Sequence, residues 1–397
     1  MLKMCLQSSG SNTPRPIEWP QSNPSRSAPS IVSYAVNPDS QSQSAAPEPK
    51  SQVQVAFQES FGVILAEIFL VLSVLSKSQE YVRLPAIANL HEFPVIGTGA
   101  SFLARKIPRE HVLGSDSTRF PGHKSFVYKS LRHYSSPADG KNPRDRRAAR
   151  LENVLLEIQV LTHPSLRNHE NIANLVGFGW ELNCLDEKSH VFHWPFVILE
   201  YAQFGSMVEL FDQENIDFET RRRLCVDVGQ GLLALHSCDI VHGDVKMENT
   251  LIFPHSSRRF VAKLVDFGYA MVDLDGKNQT TRLKGGTRPW YAPELNDWLA
   301  WGDLHQTDTY SFGLLIWRTM CYGHPPFHMC GGIVDAEMSQ EIIAMTQHGS
   351  MLEVATISLS DVVLDEGLRE SVQCGLGFCL RRNPEERNLQ SCIESLG

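Results

Sequence analysis

From Tyr81 onward the chain alternates short apolar runs with longer segments whose apolar residues recur at helical spacing. Phe126-Val127-Tyr128 and Phe196-Val197-Ile198-Leu199 are short runs of aromatic and aliphatic residues, which predicts strands. Between them Leu151, Val154, Leu155, Ile158 and Leu161 fall three or four apart, which predicts a helix with one buried face. Leu224, Val228, Leu232 and Leu235 repeat that register between Arg222 and His236; Ile240-Val241 then leads into a loop rich in polar groups, the place to look for chemistry. Upstream, Phe61 to Leu75 is an almost unbroken apolar run of 15 residues with Glu67 in its middle. It falls short of the roughly 20 apolar residues that cross a bilayer, so a helix docked on the following domain is expected and no transmembrane span. Peripheral membrane contact or an oligomer contact through 61–75 stays open as an alternative.

Composition sharpens this picture in three places. A chain of 397 residues exceeds what one compact core usually holds, so two lobes or domains are expected. Residues 1–52 hold 12 Ser, 8 Pro and 5 Gln with few large apolar residues, too little to offset the entropy of ordering, and are expected to form a disordered tail. The net charge of -9 gives no reason to expect nucleic-acid binding. Against that balance, Leu103 to Arg150 holds 12 Lys or Arg and 4 Asp or Glu. The nine cysteines contain no CxxC pair and the first residues lack a long apolar core, so neither a zinc cluster nor a secreted disulfide scaffold is indicated. A reducing, cytoplasmic setting follows as the expectation, with the nucleus left open.

The most informative segment is His242-Gly243-Asp244-Val245-Lys246-Met247-Glu248-Asn249. A carboxylate, an ammonium two residues on and a carboxamide five residues on can meet one polyphosphate: Asp orients a hydroxyl, Lys neutralises a phosphoryl oxygen and Asn binds a metal. Seventeen residues past Asn249, Leu264-Val265 ends in Asp266-Phe267-Gly268, where a second carboxylate precedes a glycine that permits a sharp turn. Asn249 and Asp266 make a hard-oxygen pair suited to Mg²⁺. With Ala292-Pro293-Glu294 in the same order, this set resembles the eukaryotic-type protein kinase domain over about Tyr81 to Gly397. The resemblance implies an α+β, bilobal fold with a small, mostly β lobe at 81–200, a larger helical lobe at 201–397 and ATP between them; the apolar helix, placed at 53–80 from its hydrophobic run, precedes it. The HGDVK loop and the preceding helix are similar to filamentous-fungal kinase-like proteins.

Under that resemblance Gly97-Thr98-Gly99 matches the glycine-rich loop over the phosphates, although Phe102 stands at its third glycine position and Ala104 where valine is usual; alone, this triplet would read as a common turn. Lys129 matches the phosphate-binding lysine and Glu157 its ion-pair partner, with an exposed helix glutamate as the plainer reading of Glu157 and Glu152 as the fallback partner. Glu200-Tyr201-Ala202 matches the hinge whose backbone, at Glu200 and Ala202, would hydrogen-bond adenine, with Leu199 at the gatekeeper position. Lys246 with Thr287 implies transfer to Ser or Thr of a protein substrate. Asp308 would brace the catalytic loop, Arg387 would pair with Glu294, and His242 is read as a packed histidine. The basic excess falls in two long gaps, around Arg105 to Lys124 and Tyr134 to Arg147, read as surface insertions or a docking patch. Gly243 stands where many regulated kinases carry arginine, which implies activity independent of a phosphate on Thr280 or Thr281. Two rivals are kept: a catalytically silent pseudokinase scaffold, favoured by Phe102 and Gly243, and a small-molecule phosphotransferase, which shares the His-Gly-Asp and Asn spacing.

Overall fold

The computed structural model of the protein describes residues 52–78, 80–99, 102–114, 120–131, 143–184, 191–272, 280–324 and 336–397. The tail expected over 1–52 lies outside these except at Gln52, which opens a helix. Also outside are Ala100 and Ser101 of the glycine-containing loop and 115–119 and 132–142 of the basic stretch.

Six strands, β1 (Val82–Leu84), β2 (Val95–Thr98), β3 (Phe102–Pro108), β4 (Ser125–Leu131), β5 (Leu175–Cys184) and β6 (Val191–Glu200), form one sheet in the order β1-β5-β6-β4-β3-β2. All neighbours are antiparallel except β1, which runs parallel to β5. Successive side chains on a strand point to opposite faces. On β4, Phe126 and Tyr128 join a buried cluster with Ile107, Val176, Phe196 and Ile198, while Lys129 lies on the alternate face. The one-turn helix α2 (Glu110–Leu113) closes that cluster with Val112 and Leu113.

The predicted amphipathic helix is α3 (Pro143–Thr162), and Leu151, Val154, Leu155, Ile158 and Leu161 are all buried. The apolar run forms α1 (Gln52–Leu75), which packs against α3 and buries Ile68, Val71, Leu72 and Leu75, again three and four apart. Its remaining surface exposes Val63, Phe69, Leu70 and Val74. Among the described residues no helix is long and apolar enough to cross a membrane.

Beyond β6 the chain is mostly helical. Helix α4 (Met207–Gln213) opens with a reciprocal cap between Ser206 and Glu209, and α5 (Phe218–Ser237) with Asp217 accepting the Thr220 N–H at 2.9 Å. Then come α6 (Trp301–Met320), α7 (Ala336–His348), α8 (Met351–Val362), α9 (Glu366–Cys379) and α10 (Leu389–Leu396). Every residue of α6 from Thr307 to Met320 is buried, as expected of a helix apolar on most sides that forms the centre of a lobe. Three short ladders join the helices: β7 (Ile240–Val241) with β10 (Met271–Val272), β8 (Thr250–Pro254) with β9 (Phe260–Leu264), and β11 (Thr280–Thr281) with β12 (Leu299–Ala300). The architecture is the expected α+β pair of lobes, one built on the sheet and one on α6.

Candidate active site

Three polar loops carry the candidate residues, and each is fixed by neighbouring apolar elements. The loop 242–249 leaves β7 and enters β8, while Asp266 follows β9, paired throughout its length with β8. Pairing Thr250 with Leu264 brings Asn249 and Asp266 close in space, 17 residues apart in sequence. The Val265 N–H donating to the Asn249 carbonyl at 3.1 Å extends that register.

Asp244 is the hub of the first loop. Its Oδ1 accepts the Thr287 N–H at 2.9 Å, and its Oδ2 accepts from Lys246 Nζ at 2.6 Å and Asn249 Nδ2 at 2.9 Å. Lys246 also donates to the Thr287 hydroxyl. Beneath the loop, Asp308 on α6 accepts the His242 N–H at 2.7 Å, the Gly243 N–H at 2.9 Å and a bond from His236 Nε2 at 3.0 Å. Burial alone would push the Asp308 carboxyl up; His236, His242 and these bonds overcome it and hold the group below the usual aspartate range. His242 is fully buried, with Nε2 3.2 Å from the Val265 carbonyl, and so sits as a packed histidine beneath the loop. Gly243 has φ 76°, and a Cβ there would stand 2.6 Å from the Tyr269 carbonyl. Backbone conformation and close approach both select glycine at this position.

On the sheet side, Lys129 Nζ meets Glu157 Oε1 at 2.7 Å and Oε2 at 2.8 Å, and Asp266 Oδ1 at 3.3 Å. Burial opposes the ammonium charge, but Asp266 and Glu157 outweigh it and hold the Lys129 pKa above its ordinary value. The same lysine is the main cause of a lowered Asp266 pKa, so that carboxylate stays ionised at neutral pH. Glu157 is therefore the partner of Lys129. The fallback, Glu152, sits on the exposed surface of α3 and pairs with Lys284 at 2.6 Å.

Gly97 lies opposite Ala104 across β2 and β3, and the Gly99 N–H donates to the Phe102 carbonyl at 2.9 Å. Phe102 pairs with Leu131, two residues from Lys129 on the neighbouring strand, and its ring centroid is 4.2 Å from Lys129 Nζ. The third-glycine position thus holds a buried aromatic ring packed on the lysine.

Glu200 ends β6 and Ala202 follows it in a turn where the Ala202 carbonyl accepts the Gly205 N–H at 3.3 Å. The Glu200 carboxylate is buried and accepts from Lys263 Nζ at 2.7 Å and the Asn174 N–H at 2.8 Å. Burial would raise its pKa; His123 and Lys263 pull it below the ordinary range. Sequence reasoning used Glu200 only for its backbone, and 63 positions separate it from Lys263, so no local signal could have linked them. Glu157, the first choice from its place on the margin of the apolar stripe, meets Lys129, and the fallback Glu152 points away from it. Arg387 and Glu294 form the expected buried pair, with Arg387 Nη2 3.0 Å from Glu294 Oε2.

The site therefore offers a carboxylate flanked by lysine and threonine, a carboxamide and a second carboxylate beside it, and a buried lysine held by glutamate. Comparison with known proteins finds a family model described as protein kinase domain matching residues 122–392. Curated relatives include a putative mitogen-activated protein kinase kinase kinase 7-like of Drosophila melanogaster, 27% identical over 59% of this chain and 53% of its own length. The LRR receptor-like serine/threonine-protein kinase ERL2 of Arabidopsis thaliana is 26% identical over 67% of this chain and 26% of its own length. The serine/threonine-protein kinase CLA4 of Candida albicans is 31% identical over 45% and 16%. The chain thus spans about half, or much less, of the length of the relatives it matches.

Proposed function

Because the chain belongs to the protein kinase family, we propose that it transfers the γ-phosphoryl group of ATP to a Ser or Thr hydroxyl of a protein. The observation that carries this reading is the convergence of Lys246, Asn249 and Thr287 on the Asp244 carboxylate, each within direct hydrogen-bond distance of it, with Lys246 also bonded to the Thr287 hydroxyl. In such a transfer a bond forms between the acceptor oxygen and phosphorus, the bond to the ADP oxygen breaks, and the acceptor proton must go to a base. Asp244 is the base at hand: Thr287 and Asn249 fix its two oxygens, and it orients the hydroxyl and takes the proton. Lys246, already bonded to Asp244, steadies the charge on the transferring group. Lys129, held by Glu157, grips the α- and β-phosphates, and the backbone at Glu200 and Ala202 receives adenine.

A divalent ion fits the donor set, since Asn249 commits its Nδ2 to Asp244, leaving the carboxamide oxygen available, and the Asp266 carboxylate is partly exposed. Asn249 and Asp266 would hold Mg²⁺, which when bound neutralises phosphoryl charge. The lysine–threonine combination and the names of the relatives support Ser/Thr specificity.

The pseudokinase reading is favoured by one observation, the Phe102 ring against Lys129, which takes up space beside the ammonium that phosphates would need. Transfer of labelled phosphate from Mg-ATP by the full chain, to itself and to a generic basic protein, decides between them. Incorporation into Ser or Thr that vanishes in Asp244→Ala supports the kinase; incorporation equal to that variant's background would sink it and favour the scaffold.

A further inference from the structure

Residues 280–291 read Thr-Thr-Arg-Leu-Lys-Gly-Gly-Thr-Arg-Pro-Trp-Tyr, three cations and no acid, in a chain whose net charge is -9. Thr287 pins this segment to Asp244, so Arg288, the next residue, lies beside the carboxylate read as the base. Arg288 is exposed, its guanidinium 5.9 Å from the Tyr291 ring centroid, and it has no carboxylate partner among the described residues. Arg282 is likewise exposed, 5.8 Å from the ring of Trp298, which is itself 68% exposed, and has no carboxylate partner among the described residues either. Lys284 differs, because Glu152 neutralises it.

The opposite charge is treated in the opposite way. Glu248, the acid of the loop between Lys246 and Asn249, pairs at 2.8 Å with Arg318, whose side chain is only 2% exposed. Glu248 is thus matched from within the fold, while two arginines of the 280–291 segment are exposed without a carboxylate partner among the described residues. Planar guanidinium groups suit bidentate contact with carboxylate or phosphate, and both sit on aromatic rings that limit their freedom before binding.

We propose that the protein substrate carries an anionic residue immediately flanking its acceptor hydroxyl, received by Arg288 and Arg282. The inference rests on the reading of Asp244 as the base, and it specifies the substrate class of that site. Acidic side chains and a phosphate placed earlier share this chemistry, and the test separates them.

The experiment uses the full chain and fluorescent Ser peptides that differ only beside the acceptor: Glu, phosphoserine, Ala or Lys. Binding is read by anisotropy and transfer by initial rates. The expected order is anionic above Ala above Lys, with roughly 3- to 10-fold steps for exposed charges, shrinking as salt is added. Arg288→Glu and Arg282→Glu, checked for an unchanged melting temperature, should each move the order toward Lys. Preference for phosphoserine alone assigns a phosphate-primed substrate; preference for both assigns an acidic one. Equal binding of the Glu, phosphoserine, Ala and Lys peptides, or an order untouched by both reversals, overturns the proposal. Charge-ordered binding without any transfer would instead sink the catalytic reading while the anion preference stands.

Discussion

Asp244 illustrates how much of this site rests on single contacts. Its two oxygens are held by Thr287, Lys246 and Asn249, so Asp244→Asn keeps the shape of the side chain while removing the proposed base. A loss of about 10²- to 10⁴-fold in transfer rate is expected, with little change in melting temperature. Phe102 makes a prediction of the opposite sign. Its ring lies 4.2 Å from the Lys129 ammonium, which nucleotide phosphates would approach. Phe102→Leu, which keeps apolar bulk on β3, should tighten Mg-ATP binding while adenosine binding stays level. Calorimetry with both ligands checks this, and equal ATP affinity in the two proteins would refute a blocking role.

Among the elements, the segment with Thr280 and Thr281 is anchored by backbone pairing of β11 with β12 and by Lys284 on Glu152, without any contribution from a phosphate. Gly243 supplies no cation to receive one. The Thr280→Ala, Thr281→Ala double variant is therefore expected to turn over at the wild-type rate; a large loss would show that modification orders the segment after all. Helix α5 carries a pH dependence at its first turn. Hydrogen bonding to Arg222 brings the Glu219 carboxyl from an ordinary 4.5 down to about 2, and the Thr220 N–H lowers Asp217. A folded-state pKa below the unfolded one means stability that is present above about pH 4.5 and lost as the pH falls toward 2. Glu219 is nearly half exposed, so its share is small, and Glu219→Gln should flatten this acid limb slightly in denaturant titrations.

The whole molecule depends on contacts that join the lobes. Glu200 at the end of the sheet is buried and pairs at 2.7 Å with Lys263 on β9, whose side chain is 11% exposed. Removing one partner leaves the other charge buried, so Glu200→Ala should cost about 3 to 5 kcal/mol in chemical denaturation. Its effect should extend to activity, because the same residue ends the strand that leads into the proposed adenine contact. Helix α1 acts at a similar range, burying Ile68 and Leu72 against the rest of the fold while packing on the helix that carries Glu157.

Local pattern alone disclosed β4, β6, α3 and α5, since alternation and three-to-four spacing record which side of an element meets the core. The short motifs likewise marked Asp244, Lys246, Asn249 and Asp266 as candidates by residue type and spacing, and the resemblance to the protein kinase domain added Lys129. Neither source of information reaches across the chain. Packing removed the remaining alternative at Lys129, because both glutamates lie on α3 and its rotation brings Glu157, the expected partner, onto the lysine while Glu152 faces Lys284. Only packing turned Phe102 inward onto that lysine, tied Glu200 to Lys263, and matched Glu248 with Arg318 while leaving Arg288 facing solvent. Sequence fixes what each segment can form from interactions a few residues long; the pairing of charges 28 to 70 residues apart follows from how the finished elements fill space.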